Sequence, residues 1–226
     1  TLTNSYVTGT LTGSRPGGVF GGAVGIMGNG AIISNSYAGV NVTATDVTAS
    51  DVGGFLGRSA SGAGTSITNS YATGSVTAQT GGSTFTGGFM GRSLAPTNNN
   101  LYSSGAVTGP AANTGGLVGS VTSGSVTNSF WDTQSSGRAT SAAGTGRTTA
   151  QMMTLATFTG ASWSATATPS TTAAPPANTW FMFASQTRPM LMLEWKNLIL
   201  TPHQLQMAGA AKSLSVRGFR EGRREP

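Results

Sequence analysis

Three aspartates are the acidic side chains available for catalysis in the first 190 residues of the chain: Asp46, Asp51 and Asp132. Enzymatic cleavage of a glycosidic bond commonly requires two carboxylates at a defined separation. Asp46 and Asp51 are close in sequence, but the Thr/Ala/Ser stretch around them is typical of a loop. There they would serve as solubilising charges. A polysaccharide-cleaving site made of these two aspartates and neighbouring arginines stays open as the alternative.

The other patterns that could support catalysis or ligand binding are weak. His203 is the single histidine, and its surroundings indicate a helix start rather than a general base. The run Gly144-Thr145-Gly146-Arg147-Thr148 is superficially like a phosphate-binding loop but lacks its lysine, so we interpret it as a Gly/Thr loop. The chain has no cysteine and therefore no thiolate ligands or disulfides. We predict no catalytic residue, no cofactor and no metal site.

Charge distribution argues against a nucleic-acid partner. Only 8% of the residues are charged, and the formal net charge is +6. Residues 1–130 contain three arginines against two aspartates, whereas five basic residues lie in the last fifteen positions. Nucleic-acid binding normally needs a basic stripe along the folded surface. We interpret the basic end as a solvated tail.

No apolar run approaches the ~20 residues of a membrane helix, so we predict no membrane insertion.

An internal repeat supplies the elements that would have to position any site. A Gly-Gly-apolar-apolar-Gly cluster occurs four times, with first glycines 28 to 34 residues apart, at 21–25, 53–57, 87–91 and 115–119. A second landmark keeps the same phase: Asn4-Ser5-Tyr6, Asn35-Ser36-Tyr37, Asn69-Ser70-Tyr71, Asn100-Leu101-Tyr102 and Asn128-Ser129-Phe130. A period of this size indicates stacked units rather than one core around a single pocket.

We predict an all-β fold, a parallel β-helix or β-solenoid of about four to five rungs, with a less regular C-terminal segment that contains short helices. Each repeat would give three short strands: the glycine cluster, the Asn-Ser-Tyr segment and a Gly-x-Val-Thr segment. Apolar residues such as Phe55, Ile67, Tyr71 and Val76 would stack above their equivalents in one continuous core. Glycines at the corners would tolerate positive φ and avoid clashes with the next rung. Asparagines at one repeat position, Asn35 and Asn69, would form an amide ladder.

The pattern changes after Trp131. Thr148-Thr149-Ala150-Gln151 resembles a capping box and predicts one short helix. The Ala/Thr/Pro stretch 164–179 is typical of an extended, mobile linker. Apolar character returns over 180–195, which predicts a strand or two, and Thr201-Pro202-His203-Gln204 is typical of a helix start.

Three segments follow from these patterns. Residues 1–137 form the solenoid repeats, and 138–200 form a closing segment that contains the linker. Residues 201–226 form the start of a truncated next module and a basic, disordered tail. Thr1 lies in the middle of a repeat, so we expect a longer protein with its export signal upstream.

The landmarks resemble a known family. Gly116-Leu117-Val118-Gly119 is the literal form of the GLUG motif of large bacterial exoproteins similar to filamentous haemagglutinin, and Asn69-Ser70-Tyr71-Ala72-Thr73-Gly74-Ser75-Val76 is similar to the family's strand segment. The segments 129–137 and 144–152 look like the part that closes a GLUG block, and Gln186-Thr187-Arg188-Pro189 with Trp195 looks like its final apolar strand. The Pro-rich insertion before Trp180 and the basic end after Ser213 depart from the family pattern.

The resemblance implies a secreted or surface-exposed β-helical adhesin, exported through an outer-membrane partner by two-partner secretion. Its partners would be glycans or proteins of the host cell or matrix. The polar segments that follow two glycine clusters, 58–64 and 92–99, are exposed corners that could contact such partners, although a solvated turn is the better explanation for any single residue of them. Two alternatives stay open: a passive stalk that spaces another binding domain, and the polysaccharide-acting β-helical enzyme.

Overall fold

Short parallel strands stacked along one axis form most of residues 1–147. The computed structural model describes residues 1–80, 84–95, 97–167 and 178–194. The strands of this part are β1 Leu2–Thr3, β2 Tyr6–Gly13, β3 Val19–Gly21, β4 Val24–Ile26, β5 Ile32–Ala44, β6 Asp51–Gly53, β7 Leu56–Arg58, β8 Ser66–Ala72, β9 Val76–Ala78, β10 Phe85–Gly87, β11 Met90–Ser93, β12 Thr97–Ser103, β13 Val107–Thr108, β14 Thr114–Gly115, β15 Val118–Val121, β16 Ser125–Thr127, β17 Phe130–Asp132 and β18 Thr145–Arg147. A 3-10 helix, Ala111–Asn113, precedes β14, and helix α1, Thr133–Ser136, follows β17.

These strands form three parallel sheets whose register matches the sequence repeat. The long sheet contains β1, β2, β5, β8, β9, β12, β13, β16, β17 and β18, and the two shorter sheets are β3-β6-β10-β14 and β4-β7-β11-β15. Tyr37 lies opposite Tyr6 on one side and Tyr71 on the other, so equivalent residues of successive repeats are neighbours. One repeat makes one turn, and about four turns are present. The predicted parallel β-solenoid is confirmed.

The glycine clusters form corners, so the prediction that each cluster is a strand is wrong. Gly53 ends β6, and Leu56 begins β7. A Cβ on Gly53 would lie 2.1 Å from the carbonyl oxygen of Leu56, and a Cβ on Gly54 would lie 2.2 Å from that of Gly88 in the next turn. Neither glycine has the positive φ that we expected. Glycine is required at both positions because carbonyl groups of the same turn and of the next turn occupy the space that a side chain would need.

Asparagine provides one left-handed residue in each turn, and glycines before β5, β8 and β16 provide others, as expected for glycine: Gly30, Gly64 and Gly124 have φ values of 68°, 78° and 78°. The Asn of every Asn-Ser-Tyr-like segment has a φ between 47° and 56°: Asn4, Asn35, Asn69, Asn100 and Asn128. Asn tolerates this region better than most residues with a Cβ. The motif therefore encodes a backbone conformation that is repeated once per turn.

Side-chain hydrogen bonds connect these segments between turns. The hydroxyl oxygen of Ser70 accepts the backbone N–H of Ser36 at 3.3 Å. Asn100 donates its amide to Asn69 Oδ1 at 3.1 Å, and Asn35 donates to Asn4 Oδ1 at 3.3 Å. The hydrogen bond predicted between the amides of Asn35 and Asn69 is absent from the described hydrogen bonds, and Asn35 Oδ1 accepts no hydrogen bond. The amide ladder is thus formed in pairs.

Within the described ranges the buried apolar residues form three clusters instead of the single core that we predicted. Phe55 and Ile67 belong to the interior cluster, where Phe55 stacks on Phe89 with ring centroids 5.0 Å apart. Val76 belongs to a second cluster along the Gly-x-Val-Thr strands. Tyr71 lies in a third cluster, because successive residues of a strand face opposite sides and Ala72 faces the interior.

The tyrosines stack into a ladder along the outside of the long sheet. The ring centroids of Tyr37 and Tyr71 are 4.9 Å apart with an interplanar angle of 8°, and those of Tyr71 and Tyr102 are 4.7 Å apart. Tyr37 and Tyr71 therefore stack as the repeat predicts. Phe130 occupies the next position of the ladder.

A C-terminal cover packs on this aromatic ladder. Its elements are helices α2 Thr149–Met152 and α3 Leu155–Thr159 and strands β19 Ala165–Thr166, β20 Trp180–Phe181 and β21 Met190–Leu191. Trp163 and Trp180 are buried against Tyr102, with ring centroids 6.4 and 6.0 Å away. The cover shields Tyr71, which is 6% exposed, and leaves Tyr6 67% exposed.

The sequence predicts parts of this cover correctly. The capping box is present: Thr148 accepts the N–H of Gln151 at 3.2 Å, and Gln151 accepts the N–H of Thr148 at 3.0 Å. The structure adds α1 and α3 to the one predicted helix, and β20 and β21 confirm strands after residue 180. β19 lies inside the predicted linker and pairs with β20. Residues 168–177 of that linker and everything after 194, including the predicted helix start at 201 and the tail, lie outside the described residues.

Candidate functional site

The two aspartates of the alternative enzymatic hypothesis have different environments. Asp46 lies in a loop and accepts the backbone N–H of Thr48 at 2.7 Å. Hydrogen bonds from the Thr48 hydroxyl and backbone lower the pKa of Asp46. Asp51 is the first residue of β6 and is completely buried, so our assignment of Asp51 to a solubilising loop is wrong. The pattern did not reveal the strand because Asp51 and Gly53, two of its three residues, are of types depleted in strands.

Asp51 is an ion-pair acceptor that connects two turns of the solenoid. Its Oδ2 lies 3.3 Å from Arg58 Nη1 across the glycine corner and 2.8 Å from Arg92 Nη2 of the following turn. The Ser50 hydroxyl donates to the same oxygen at 3.1 Å. A hydrolytic pair needs a second carboxylate on the other side of the bond to be cleaved, whereas Asp51 faces two guanidinium groups. The neighbouring arginines of the hypothesis are thus engaged by the carboxylate itself.

The corners proposed as contact surfaces are partly buried. Ser59 is buried and accepts the N–H groups of Leu94 and Ala95, each at 2.9 Å. Asn98 is also buried, and its amide donates to Ser93 Oγ at 3.0 Å and to Ser125 O at 3.1 Å. The expectation that 58–64 and 92–99 are exposed corners is met only in part, since Ser61 and Thr97 are exposed whereas Ser59 and Asn98 are buried. Their polar side chains bind the neighbouring turn.

The glycine-rich run that we interpreted as a loop contains β18. Thr145, Gly146 and Arg147 pair in parallel with Phe130, Trp131 and Asp132. The loop interpretation is wrong for these three residues, because the last turn of the solenoid leaves an open strand edge on which they add. The guanidinium carbon of Arg147 lies 5.6 Å from the centroid of the Phe130 ring.

Asp132 connects the C-terminal cover to the solenoid through hydrogen bonds and an ion pair. Its Oδ1 caps helix α1 by accepting the N–H groups of Gln134 at 3.0 Å and Ser135 at 3.1 Å. The Thr149 hydroxyl donates to the carboxylate at 2.9 Å, and Arg188 Nε donates to Oδ2 at 3.1 Å. Burial acts to raise the pKa of Asp132, but the hydrogen bonds, led by that from Arg188, lower it overall.

A second contact joins the ladder to the cover through Glu194. The Tyr71 hydroxyl donates to Glu194 Oε1 and Oε2 at 2.9 and 2.8 Å, and the Leu191 N–H donates to Oε1 at 2.6 Å. The Tyr102 hydroxyl donates to the carbonyl oxygen of Pro189 at 2.6 Å. Burial raises the pKa of Tyr71 and of Glu194. The Asn-Ser-Tyr motif indicates the ladder, but no local signal pairs Tyr71 with a residue more than a hundred positions away.

We expect Glu194→Gln to change how stability depends on pH. Because burial raises the pKa of Glu194 above the ordinary 4.5, the native state binds this proton more tightly than the unfolded chain. The free energy of unfolding of the wild type then falls as pH rises from 4.5 through the raised pKa. The Gln variant lacks this loss and gains stability relative to the wild type as pH approaches neutrality. Urea unfolding at a series of pH values measures the difference, with Asp46→Asn as the control. Parallel curves for wild type and Glu194→Gln would contradict it.

The fold and these contacts define the protein as a repeat protein with a β-solenoid and a C-terminal cover. A family model described as the GLUG motif matches residues 48–77. That span includes β6, the glycine corner, β7, β8 and most of β9, so it covers one turn of the solenoid. No curated protein and no solved structure matches the chain. Within the described ranges, no helix has the length and apolar character needed to cross a membrane.

Proposed function

We propose that the chain is a non-catalytic structural and adhesive segment of a large secreted or surface-exposed bacterial protein. In this proposal the solenoid is a stiff support whose outer surface contacts glycans or proteins of a host cell or matrix. Export through an outer-membrane partner by two-partner secretion belongs to the proposal, because the GLUG motif resembles that of filamentous exoproteins. The motif match at residues 48–77 and the solenoid fold support it.

One observation carries the proposal: the polar side chains common to the repeats are used in contacts between turns. Ser70 accepts from the previous turn, and Asn69 accepts from the next. Asp51, which has no polar counterpart at the same position of the neighbouring turns, adds a buried contact between turns through Arg58 and Arg92. Side chains used in this way stabilise the stack, as expected for a solenoid in which each repeat depends on its neighbours. Residues on the outer surface that differ from one repeat to the next then provide the contacts to a partner.

A binding assay tests the adhesive part of this proposal. We expect fluorescently labelled chain to bind cultured epithelial cells or deposited extracellular matrix in a saturable manner, and we expect unlabelled chain to displace it. Absence of saturable binding by the folded chain would contradict an adhesive role and favour the passive stalk. Release of reducing ends from a panel of glycans, abolished by Asp51→Ala in a variant that stays folded, would instead establish the enzymatic alternative.

A further inference from the structure

A cleft lies at the C-terminal end of the aromatic ladder. It has a volume of about 580 Å³ and opens between β18 and the segment of helix α3. The lining residues that matter here are Phe130, Thr145, Arg147, Thr154 and Thr157. Its volume is within the range of sites that bind small organic ligands. None of the described lining residues is Asp or Glu, so Arg147 gives the cleft a positive charge.

Among the described residues, Arg147 is the arginine of this cleft and has no anionic partner. The ion pairs of the described residues engage Arg58, Arg92 and Arg188 but not Arg147. Asp132, its neighbour across the β17–β18 pair, is already bound by Arg188. Arg147 Nε is buried and has no hydrogen-bond partner among the described residues. The Phe130 ring, 5.6 Å from the guanidinium carbon, supports the group by a cation–π contact.

The hydroxyls beside Arg147 favour a ligand that carries its own hydroxyl groups. Thr154 donates its hydroxyl proton to the carbonyl oxygen of Ala150 at 2.9 Å, and Thr157 donates to that of Gln151 at 2.8 Å. Each oxygen therefore offers only lone pairs towards the cleft. Such acceptors suit the O–H donors of a sugar, while the planar guanidinium matches a carboxylate with two parallel hydrogen bonds.

We propose that this cleft binds a saccharide that carries a carboxylate, with Arg147 on the carboxylate and the hydroxyls of Thr154 and Thr157 on the sugar O–H groups. The inference rests on the proposed function, since it names a ligand class for a surface-exposed adhesive segment. Phe130 is 3% exposed and supports Arg147 rather than the ligand.

Isothermal titration of the folded chain with two tetrasaccharides tests the site. The acidic probe alternates glucuronate with N-acetylglucosamine, and the neutral probe contains N-acetylglucosamine alone. We expect the acidic probe to bind at least about tenfold more tightly than the neutral one, because charge-assisted hydrogen bonds carry the discrimination. Arg147→Gln lowers the affinity for the acidic probe at least about tenfold, and Arg147→Lys keeps part of it. Arg15→Gln, which removes the same charge from an exposed position, leaves the affinity unchanged.

Several results would overturn the assignment. These are absence of binding of the acidic probe, equal binding of both probes, or full affinity in an Arg147→Gln variant whose thermal unfolding matches the wild type. If a sulfated tetrasaccharide without carboxylates binds and the glucuronate probe does not, the carboxylate assignment is wrong and the ligand of Arg147 is a sulfate group. If Arg147→Gln leaves cell binding unchanged, the cleft is not the adhesive site, while the adhesive function itself stands. If the glucuronate probe binds through Arg147 but the chain does not bind cells, the saccharide site stands and the adhesive function is contradicted.

Discussion

Gly53→Ala will prevent folding of the solenoid or lower its free energy of unfolding by more than about 4 kcal/mol, the range of single substitutions that disrupt a tightly packed backbone. An alanine Cβ at this position would lie 2.1 Å from the carbonyl oxygen of Leu56. It would also lie 2.8 Å from Gly91 N and from Phe89 O in the following turn. All three contacts are to backbone atoms, so no side-chain rotation relieves them. Urea unfolding followed by circular dichroism measures the effect.

Gly28→Ala is the matched control for Gly53→Ala. No atom lies within 4 Å of a Cβ built on Gly28, and its φ is not positive. We expect its free energy of unfolding to stay the same or to rise by up to about 1 kcal/mol, since alanine restricts the unfolded chain. A Gly53→Ala protein with the same unfolding midpoint as the control would show that the corner has room for a side chain.

Asp132→Ala will lower the free energy of unfolding by about 3 kcal/mol, the scale for removing one partner of a buried ion pair. Asp132 is completely buried, and the side chain of Arg188 is 29% exposed. The substitution also removes the cap of helix α1 and the acceptor of the Thr149 hydroxyl. Chemical unfolding at neutral pH measures the loss, and Asp46→Ala, which changes a loop carboxylate, should cause a much smaller one.

The stabilisation by Asp132 also has a defined pH dependence. Because its folded pKa lies below the ordinary 3.8, the stabilisation is fully present above that value and is lost as pH falls through the lowered pKa. We expect the wild type to lose more stability on acidification than Asp132→Ala in this window. Equal acid sensitivity of the two proteins would show that the carboxylate is not held by Arg188 in solution.

The repeat made the scaffold predictable. Each landmark recurs once per turn, so residues such as Tyr37 and Tyr71 had to become neighbours once a turn was assigned to a repeat. The corner was harder to predict because Gly53 and Gly54 are compatible with positive φ and with close backbone approach. Only the positions of Leu56 O and Gly88 O distinguish these two reasons for glycine.

The candidate sites could be predicted only in part. The sequence drew attention to Asp51 as a candidate carboxylate and to Arg147 as part of a glycine-rich run. It did not predict their environments, because these depend on strands from other turns. Arg92 reaches Asp51 from 41 positions away, and Arg188 reaches Asp132 from 56 positions away. No local pattern encodes such pairs. Among the described residues, Arg188 occupies Asp132, and Arg147 has no ion pair.

The sequence by itself determined the architecture of this protein: a period near 31 residues, glycine at each corner and asparagine two positions before each aromatic residue of the ladder suffice to specify parallel turns in register. The tertiary structure alone decided the division of the described apolar residues into three clusters, the burial of Tyr71 and Tyr102 under the C-terminal cover and the identity of each ion pair. The physical reason is that periodic burial is a property of short segments, whereas a buried charge or a covered aromatic face depends on contacts between residues far apart in the chain.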